Sequence, residues 1–478
     1  MDASPSIISL PSLKELSFGG CNVGVLKRFV NLTSVTALVI EDVAGLTWLS
    51  HGFTSSLIKL EMKSCKELMY LWQDRDVIRD LTCLKSLVVQ DCPGLVSLAA
   101  GEEDTELPVK LETIRVWSCD NLEKLPSKMH ALSSLRDLTI KCPKLVSFPE
   151  TGIPTSVITL RITECKMLQS LPIIGGLSSH PEEPSSSSSS RNNHVDMMSR
   201  LQVLTISGCD SLPASPFSEG GFLPATLREL HIMNCRGVES LAEINVDRLQ
   251  SLQEIDISNC EKLRSLPQDL HTLSHLTSLQ LWECPTLELE CFPPLPPSIS
   301  KLHLWGCPKI KALPDQLHRL TCLRDLKISG CESITRFPDG GLPPQLQKLT
   351  VYKCGNMKQP VREWLTPLLT SLEWLLIDGS SMGGVREEED LLLPLPSSLL
   401  RLQICGMDNM ERLSSSLPPS LRILWISGCP KLRELPPDGL PPSLETLRID
   451  GPSIMKERCM EGTGCYWPLI REIPFVWV

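Results

Sequence analysis

Apolar residues recur along this chain in one phrase, L-x-x-L-x-[IVL]-x-x-C, which returns about eighteen times. It reads Leu84-x-x-Leu87-x-Val89-x-x-Cys92, then Leu111-x-x-Ile114-x-Val116-x-x-Cys119, and much later Leu421-x-x-Leu424-x-Ile426-x-x-Cys429. From Cys209 the steps to Cys235, Cys260, Cys284, Cys307, Cys331 and Cys354 are 26, 25, 24, 23, 24 and 23 residues. The alternation x-L-x-I-x predicts a short strand, its leucines pointing inward and the intervening residues outward. Return segments between strands are rich in Pro and Gly, as at Leu125-Pro126, Leu266-Pro267 and Phe337-Pro338-Asp339-Gly340-Gly341-Leu342. Such segments cannot sustain long helices, so short helical turns or extended stretches are expected there. A single unit repeated at this period predicts a solenoid with one continuous core.

The period and leucine pattern are those of a leucine-rich repeat. The expected fold is α/β: a curved, right-handed leucine-rich repeat solenoid, with a parallel β-sheet on the concave face and short irregular convex segments. Eighteen strands spaced by roughly 4.8 Å give an arc on the order of 85 Å. Repeats are expected over residues 1–172 and 201–454. Between them, 173–200 carries Gly175-Gly176, His180-Pro181-Glu182-Glu183-Pro184 and the run Ser185 to Ser190, which cannot bury a core and reads as a disordered insertion. A second insertion, Arg386-Glu387-Glu388-Glu389-Asp390, reads as a solvated acidic loop. After Ile449 the chain leaves the phrase, and 455–478 reads as a C-terminal cap. The other end opens on repeat text at Leu10-Pro11-Ser12-Leu13-x-x-Leu16, so an upstream continuation or a docked domain is expected to cover it.

Charge and cysteine narrow the function. The formal net charge is −10, which makes nucleic acid a poor main partner. No run of eighteen apolar residues occurs, and Met1-Asp2-Ala3-Ser4-Pro5 lacks the basic and apolar regions of a signal peptide. Fourteen of the 20 cysteines fall at the end of the phrase, where a small buried residue with a weak S–H donor fits the inward turn. Unpaired thiols in such number suit a reducing compartment, and no C-x-x-C indicates a zinc site. The expected location is the cytoplasm, with the nucleus open, which makes the sequon Asn31-Leu32-Thr33 irrelevant.

Catalytic signals are weak. Gly379-Ser380-Ser381-Met382-Gly383 matches G-x-S-x-G, but no helix is expected after it. His271-x-x-x-His275 would put two metal ligands on one helical face, without a third. No enzyme, catalytic residue or metal is expected. The outward strand positions say more, because five of the ten tryptophans fall there. Trp117, Trp282, His303, Trp305, Tyr352, Trp374 and Trp425 are the candidate protein-binding residues, since Trp and Tyr dominate protein interfaces and are costly to leave wet. The alternative is that the rings stack on each other as an inert ladder.

The repeat phrase, the F-P-x-G-G-L-P-P return and the tail Arg458-Cys459 … Trp467-Pro468-Leu469-Ile470-Arg471-Glu472-Ile473-Pro474 resemble the repeat region of plant coiled-coil, NB-ARC, leucine-rich-repeat (CC-NBS-LRR) disease resistance proteins. The resemblance implies recognition of a pathogen effector or a guarded host protein, with an NB-ARC domain docking at the N-terminal end. No G-x-x-x-x-G-K-[ST] occurs, so no cofactor is expected here. ATP or ADP would enter only through an upstream NB-ARC domain. The other reading is a cytosolic repeat scaffold or ubiquitin-ligase substrate adaptor.

Overall fold

The computed structural model describes residues 12–29, 34–49, 56–72, 75–100, 107–173, 199–217, 223–366, 368–379, 395–413, 416–436 and 438–478. The chain divides into two units, Met1–Leu252 and Gln253–Val478. In the first, nine five-residue strands run from β1 (Glu15–Gly19) to β9 (Glu229–Met233) among the described residues, each parallel to the next. In the second, β10 (Glu254–Ser258), β11 (Ser278–Trp282), β12 (Lys301–Trp305), β13 (Asp325–Ser329) and β14 (Lys348–Tyr352) follow in sequence. They continue with β15 (Trp374–Asp378), β16 (Arg401–Cys405), β17 (Ile423–Ser427), β18 (Thr446–Asp450) and β19 (Phe475–Trp477).

Equivalent phrase positions pair without slippage: Leu279, Leu302, Leu326 and Leu349 are partners across β11 to β14. A one-residue slip would turn every inward leucine to solvent, so burial of one face fixes the register. Leu279 and Leu302 are 1% and 0% exposed, and each such side chain contributes roughly 1.5–3 kcal/mol on burial. Returns behind the sheet are short, as expected from Pro and Gly. They include 3-10 turns at Ser127–Ala131, Leu270–Thr272 and Leu317–Arg319 and a one-turn helix at Val361–Trp364, whose buried Trp364 packs on Phe337.

The residue after most strands is left-handed, as at Asp91, Asn234, Asn259, Gly306, Gly330 and Gly428. Its N–H still reaches the next strand: Gly306 donates to Ser329 at 2.8 Å and Gly330 to Tyr352 at 2.9 Å. The chain thereby turns inward and delivers the cysteine. Cys307 Sγ lies 3.4 Å from the Trp305 carbonyl oxygen and 3.8 Å from that of Leu281 in the preceding repeat. Cys331 and Cys354 repeat this pairing. Cys142 departs from it, because Lys141 ends the strand directly before it and no left-handed residue intervenes.

A device that the repeat phrase does not announce recurs before the strands. In Pro-x-Ser/Thr entries the hydroxyl donates to a carbonyl of the previous repeat. Ser298 reaches Leu276 at 2.8 Å, Ser420 reaches Ser397 at 2.6 Å and Leu399 at 2.9 Å, and Ser443 reaches Pro419 at 2.6 Å and Leu421 at 2.7 Å. The bonds to Leu276, Leu399 and Leu421 are partly buried, where an unmet acceptor is costly.

After Ile449 the chain leaves the repeat phrase but not the sheet. Helices at Ser453–Arg458 and Trp467–Ile470 bury Met455 and Ile470, and the chain then returns as β19, parallel to β18. The serine-rich stretch, the acidic stretch Arg386–Asp390, Asn31–Thr33 and Ser380–Gly383 lie outside the described residues.

Candidate protein-interaction surface

Each strand presents three outward positions, and the register lines them up as columns. Trp282 and Trp305 are direct partners at the third position of β11 and β12. Their rings stack at 5.5 Å between centroids with 17° between planes. His303, at the middle position of β12, meets Trp282 edge-on at 6.2 Å. Lys327, in the middle of β13, brings its Nζ to 4.2 Å from the Trp305 ring and 5.0 Å from Trp282. Partial burial there holds the Lys327 ammonium below its ordinary pKa. His303 Nε2 lies 3.1 Å from Asp325 Oδ1, without the alignment of a hydrogen bond, and neither ring nitrogen has a hydrogen-bond partner. Burial pushes the Asp325 carboxyl up, but His303, Lys348 and Lys301 together pull it below the usual carboxylate range.

The remaining candidates are spread out. Tyr352 shares the column of Trp305 but sits two strands away, with Lys353 over its ring at 5.4 Å. Trp374 lies between Lys348 and Arg401 in the first column, the two cations 5.8 and 5.9 Å from its ring. Trp425 is covered by Arg448 at 4.4 Å and donates from Nε1 to Asp450 at 3.1 Å. Hydrogen bonding from Arg448 holds Asp450 below its ordinary pKa. Trp117, at the end of β5 (Thr113–Trp117), belongs to the first unit, and its in-register partners are Gln90 and Lys141.

The candidate rings are half-buried rather than fully wet, because a neighbouring ring or a cation lies against most of them. Ser278 and Asp378 occupy intervening strand positions, where the alternation predicts outward-facing side chains, yet they are only 6% and 5% exposed. Ser329, set in register between Trp305 and Tyr352, is likewise only 2% exposed. His271 lies in a 3-10 turn, Leu270–Thr272, behind Pro267, and His275 lies beyond it. Among the described residues no cluster of metal-ligating side chains occurs, and no helix is long and apolar enough to cross a membrane.

The repeat phrase does not reveal the aromatic pair of β19. Phe475 and Trp477 stack at 6.0 Å and are 57% and 54% exposed. With Ile423, Trp425, Thr446, Arg448 and Asp450, Trp477 lines a cleft of about 380 Å³. The alternation Phe475-Val476-Trp477 was its only signal, and three residues are too few to identify a strand.

Comparisons with known proteins agree with this architecture. A family model described as R13L1/DRL21 leucine-rich repeats matches residues 221–284. A putative disease resistance protein of Arabidopsis thaliana is 30% identical over 403 residues, 78% of this chain and 23% of that protein. Disease resistance protein RPP4 of the same plant is 26% identical over 52% of this chain and 20% of its own length. The chain thus spans about a fifth to a quarter of these two relatives' length. Among solved structures, a leucine-rich repeat protein of Leptospira interrogans aligns with a TM-score of 0.45 at 15% identity, over 92% of this chain and 90% of that one. Repeat, register and relatives together identify the chain as a leucine-rich repeat protein related to the plant disease resistance proteins.

Proposed function

We propose that this chain is the recognition region of a plant intracellular immune receptor, and that the outward sheet face of its second unit binds a pathogen effector or a guarded host protein. The observation that carries this reading is the Trp282–Trp305 stack, held in register with His303 beside it and Lys327 above it. Trp and Arg anchor protein interfaces more than any other residues, and this face offers both on rigid strands. Kinship with disease resistance proteins supplies the immune context. On this reading Tyr352, Trp374 and Trp425 extend the surface, and Trp117 belongs to a separate contact on the first unit. Nucleotide switching belongs to an upstream NB-ARC domain docked at the N-terminal end, and the chain works without catalysis in the cytoplasm.

The test is a pull-down from plant extract with the intact chain and with a Trp282→Ala, Trp305→Ala variant of verified fold. A nucleotide-binding partner or a guarded host protein lost only from the variant supports the reading. Identical captures from both chains refute this face as the site. Ubiquitin-ligase subunits among the losses would instead favour an adaptor.

A further inference from the structure

Several surface cations of this protein are ion-paired: Lys85 with Glu112, Arg115 with Asp137, Lys141 with Glu164, Arg422 with Glu445. On the face of β12 to β16, Lys301, Lys327, Lys348 and Arg401 have no ion-pair partner among the described residues. Within these five strands the carboxylates are Asp325 and Asp378; Asp378 is 5% exposed and Asp325 is drawn toward His303. This is a locally cationic surface on a chain whose net charge is −10. Ring contacts with Trp282, Trp305 and Trp374 stabilise Lys327, Lys348 and Arg401 without neutralising them.

Their placement is regular. Lys301, Lys348 and Arg401 hold the first outward position on alternate strands β12, β14 and β16. Two strand spacings of about 4.8 Å put successive cations about 10 Å apart. A polypeptide in the extended polyproline II form advances about 3.1 Å per residue and repeats its side-chain direction every three residues, so three residues cover that interval on one face. From this geometry we infer that the face docks an extended acidic segment of a protein partner lying across the strands. Carboxylates at every third residue meet Lys301, Lys348 and Arg401, and an apolar side chain between the last two rests on Trp374, which lies between Lys348 and Arg401 in the same column. Complementary charge sets register and steers the encounter, and the Trp374 ring supplies the anchor. Single-stranded nucleic acid fits less well. Lys327 lies over both stacked rings, where a base would have to stack, and the chain as a whole repels phosphate. This inference rests on the recognition reading of the same face and adds the partner's chemistry.

The test uses the full chain and a fluorescent synthetic peptide with glutamate at every third position and one central leucine, followed by anisotropy. Its glutamine counterpart, a single-stranded DNA oligonucleotide and phosphatidylserine vesicles are the competing probes. The glutamate peptide should bind at least about tenfold tighter than the glutamine one, each exposed pair giving roughly twofold to fivefold. Binding should weaken with salt. Charge reversal by Lys301→Glu, Lys348→Glu and Arg401→Glu together should remove the preference, whereas Lys262→Glu, an exposed cation outside this face, should not. These side chains hold no ion pair, so the fold should survive, as circular dichroism can verify. Equal binding of the two peptides, no binding at millimolar peptide, or tighter binding of DNA or vesicles that the reversal abolishes would each overturn the inference. So would self-association lost in the reversed variant, which would make a second copy the occupant. Should capture of a plant partner depend on Trp282 and Trp305 but ignore the charge reversal, the recognition reading stands and the acidic segment falls.

Discussion

Trp305→Ala and Leu304→Ala, adjacent on β12, should differ sharply in what they do to the fold. Leu304 points inward and is 0% exposed, so truncation opens a cavity in the repeat core and should cost about 2–5 kcal/mol. Trp305 points outward and is half-buried, with one ring face on Trp282 and the Lys327 ammonium 4.2 Å from its centroid. Its removal forfeits an aromatic pair worth about 0.5–1.5 kcal/mol and a cation contact worth about 0.5–1 kcal/mol. The total, about 1–2.5 kcal/mol, is local and leaves no closed void. Repeat arrays need not unfold as one unit, so native-state hydrogen exchange of the β11–β13 amides is the appropriate assay. Leu304→Ala should speed exchange of those amides by roughly thirtyfold or more, and Trp305→Ala clearly less, since about 1.4 kcal/mol is a factor of ten. A double-mutant cycle between Trp282 and Trp305 should return a coupling of about 0.5–1.5 kcal/mol. If Trp305→Ala opened β12 as far as Leu304→Ala does, the rings would be a structural ladder and the reasoning that assigns them to binding would fail.

Other outcomes follow from single contacts. Ser420→Ala removes the donor to the Leu399 carbonyl and should destabilise the neighbouring repeats by about 1–2 kcal/mol in the same exchange assay, with little effect elsewhere. Ser118 sits at φ 55°, so Ser118→Asn should raise stability by up to about 1 kcal/mol, read as a higher midpoint in urea. Of the free cysteines Cys291, Cys322 and Cys465 are exposed and should react with a thiol reagent in the native protein at pH 8. Burial pushes Cys331 up to about 12, leaving about one thiolate in ten thousand at that pH, so rapid native labelling of Cys331 would contradict its packing. Burial also raises Cys235 and Cys429 to about 11. These pKa values lie above the unfolded thiol value of about 8.5. The associated stability is therefore complete below that pH and lost as pH rises toward 11–12, so thermal midpoints should fall steadily through that window.

The part of this molecule written in its repeat could be read before any coordinate was known. Identical phrases force identical register, so Trp282 beside Trp305 follows from counting back from Cys284 and Cys307. The inward leucines and the cysteine turn follow for the same reason. What depends on side-chain reach did not. Nothing in the phrase says that Lys327 extends over two rings of neighbouring strands, or that Ser278 and Asp378 are buried. Nor does the tail, with no leucine phrase, announce that Phe475-Val476-Trp477 adds a strand and the most exposed ring pair on the sheet.

Site-specific photo-crosslinking most directly tests whether the outward face of the second unit is a protein-recognition surface. A photoreactive residue would replace Trp305 in one chain, Tyr352 in a second and Lys262 in a third, each exposed to extract of infected plant tissue. The account predicts one shared adduct, an effector or a host protein, from positions 305 and 352 and none from 262. The same adducts from all three positions, or none from 305 and 352, would contradict it.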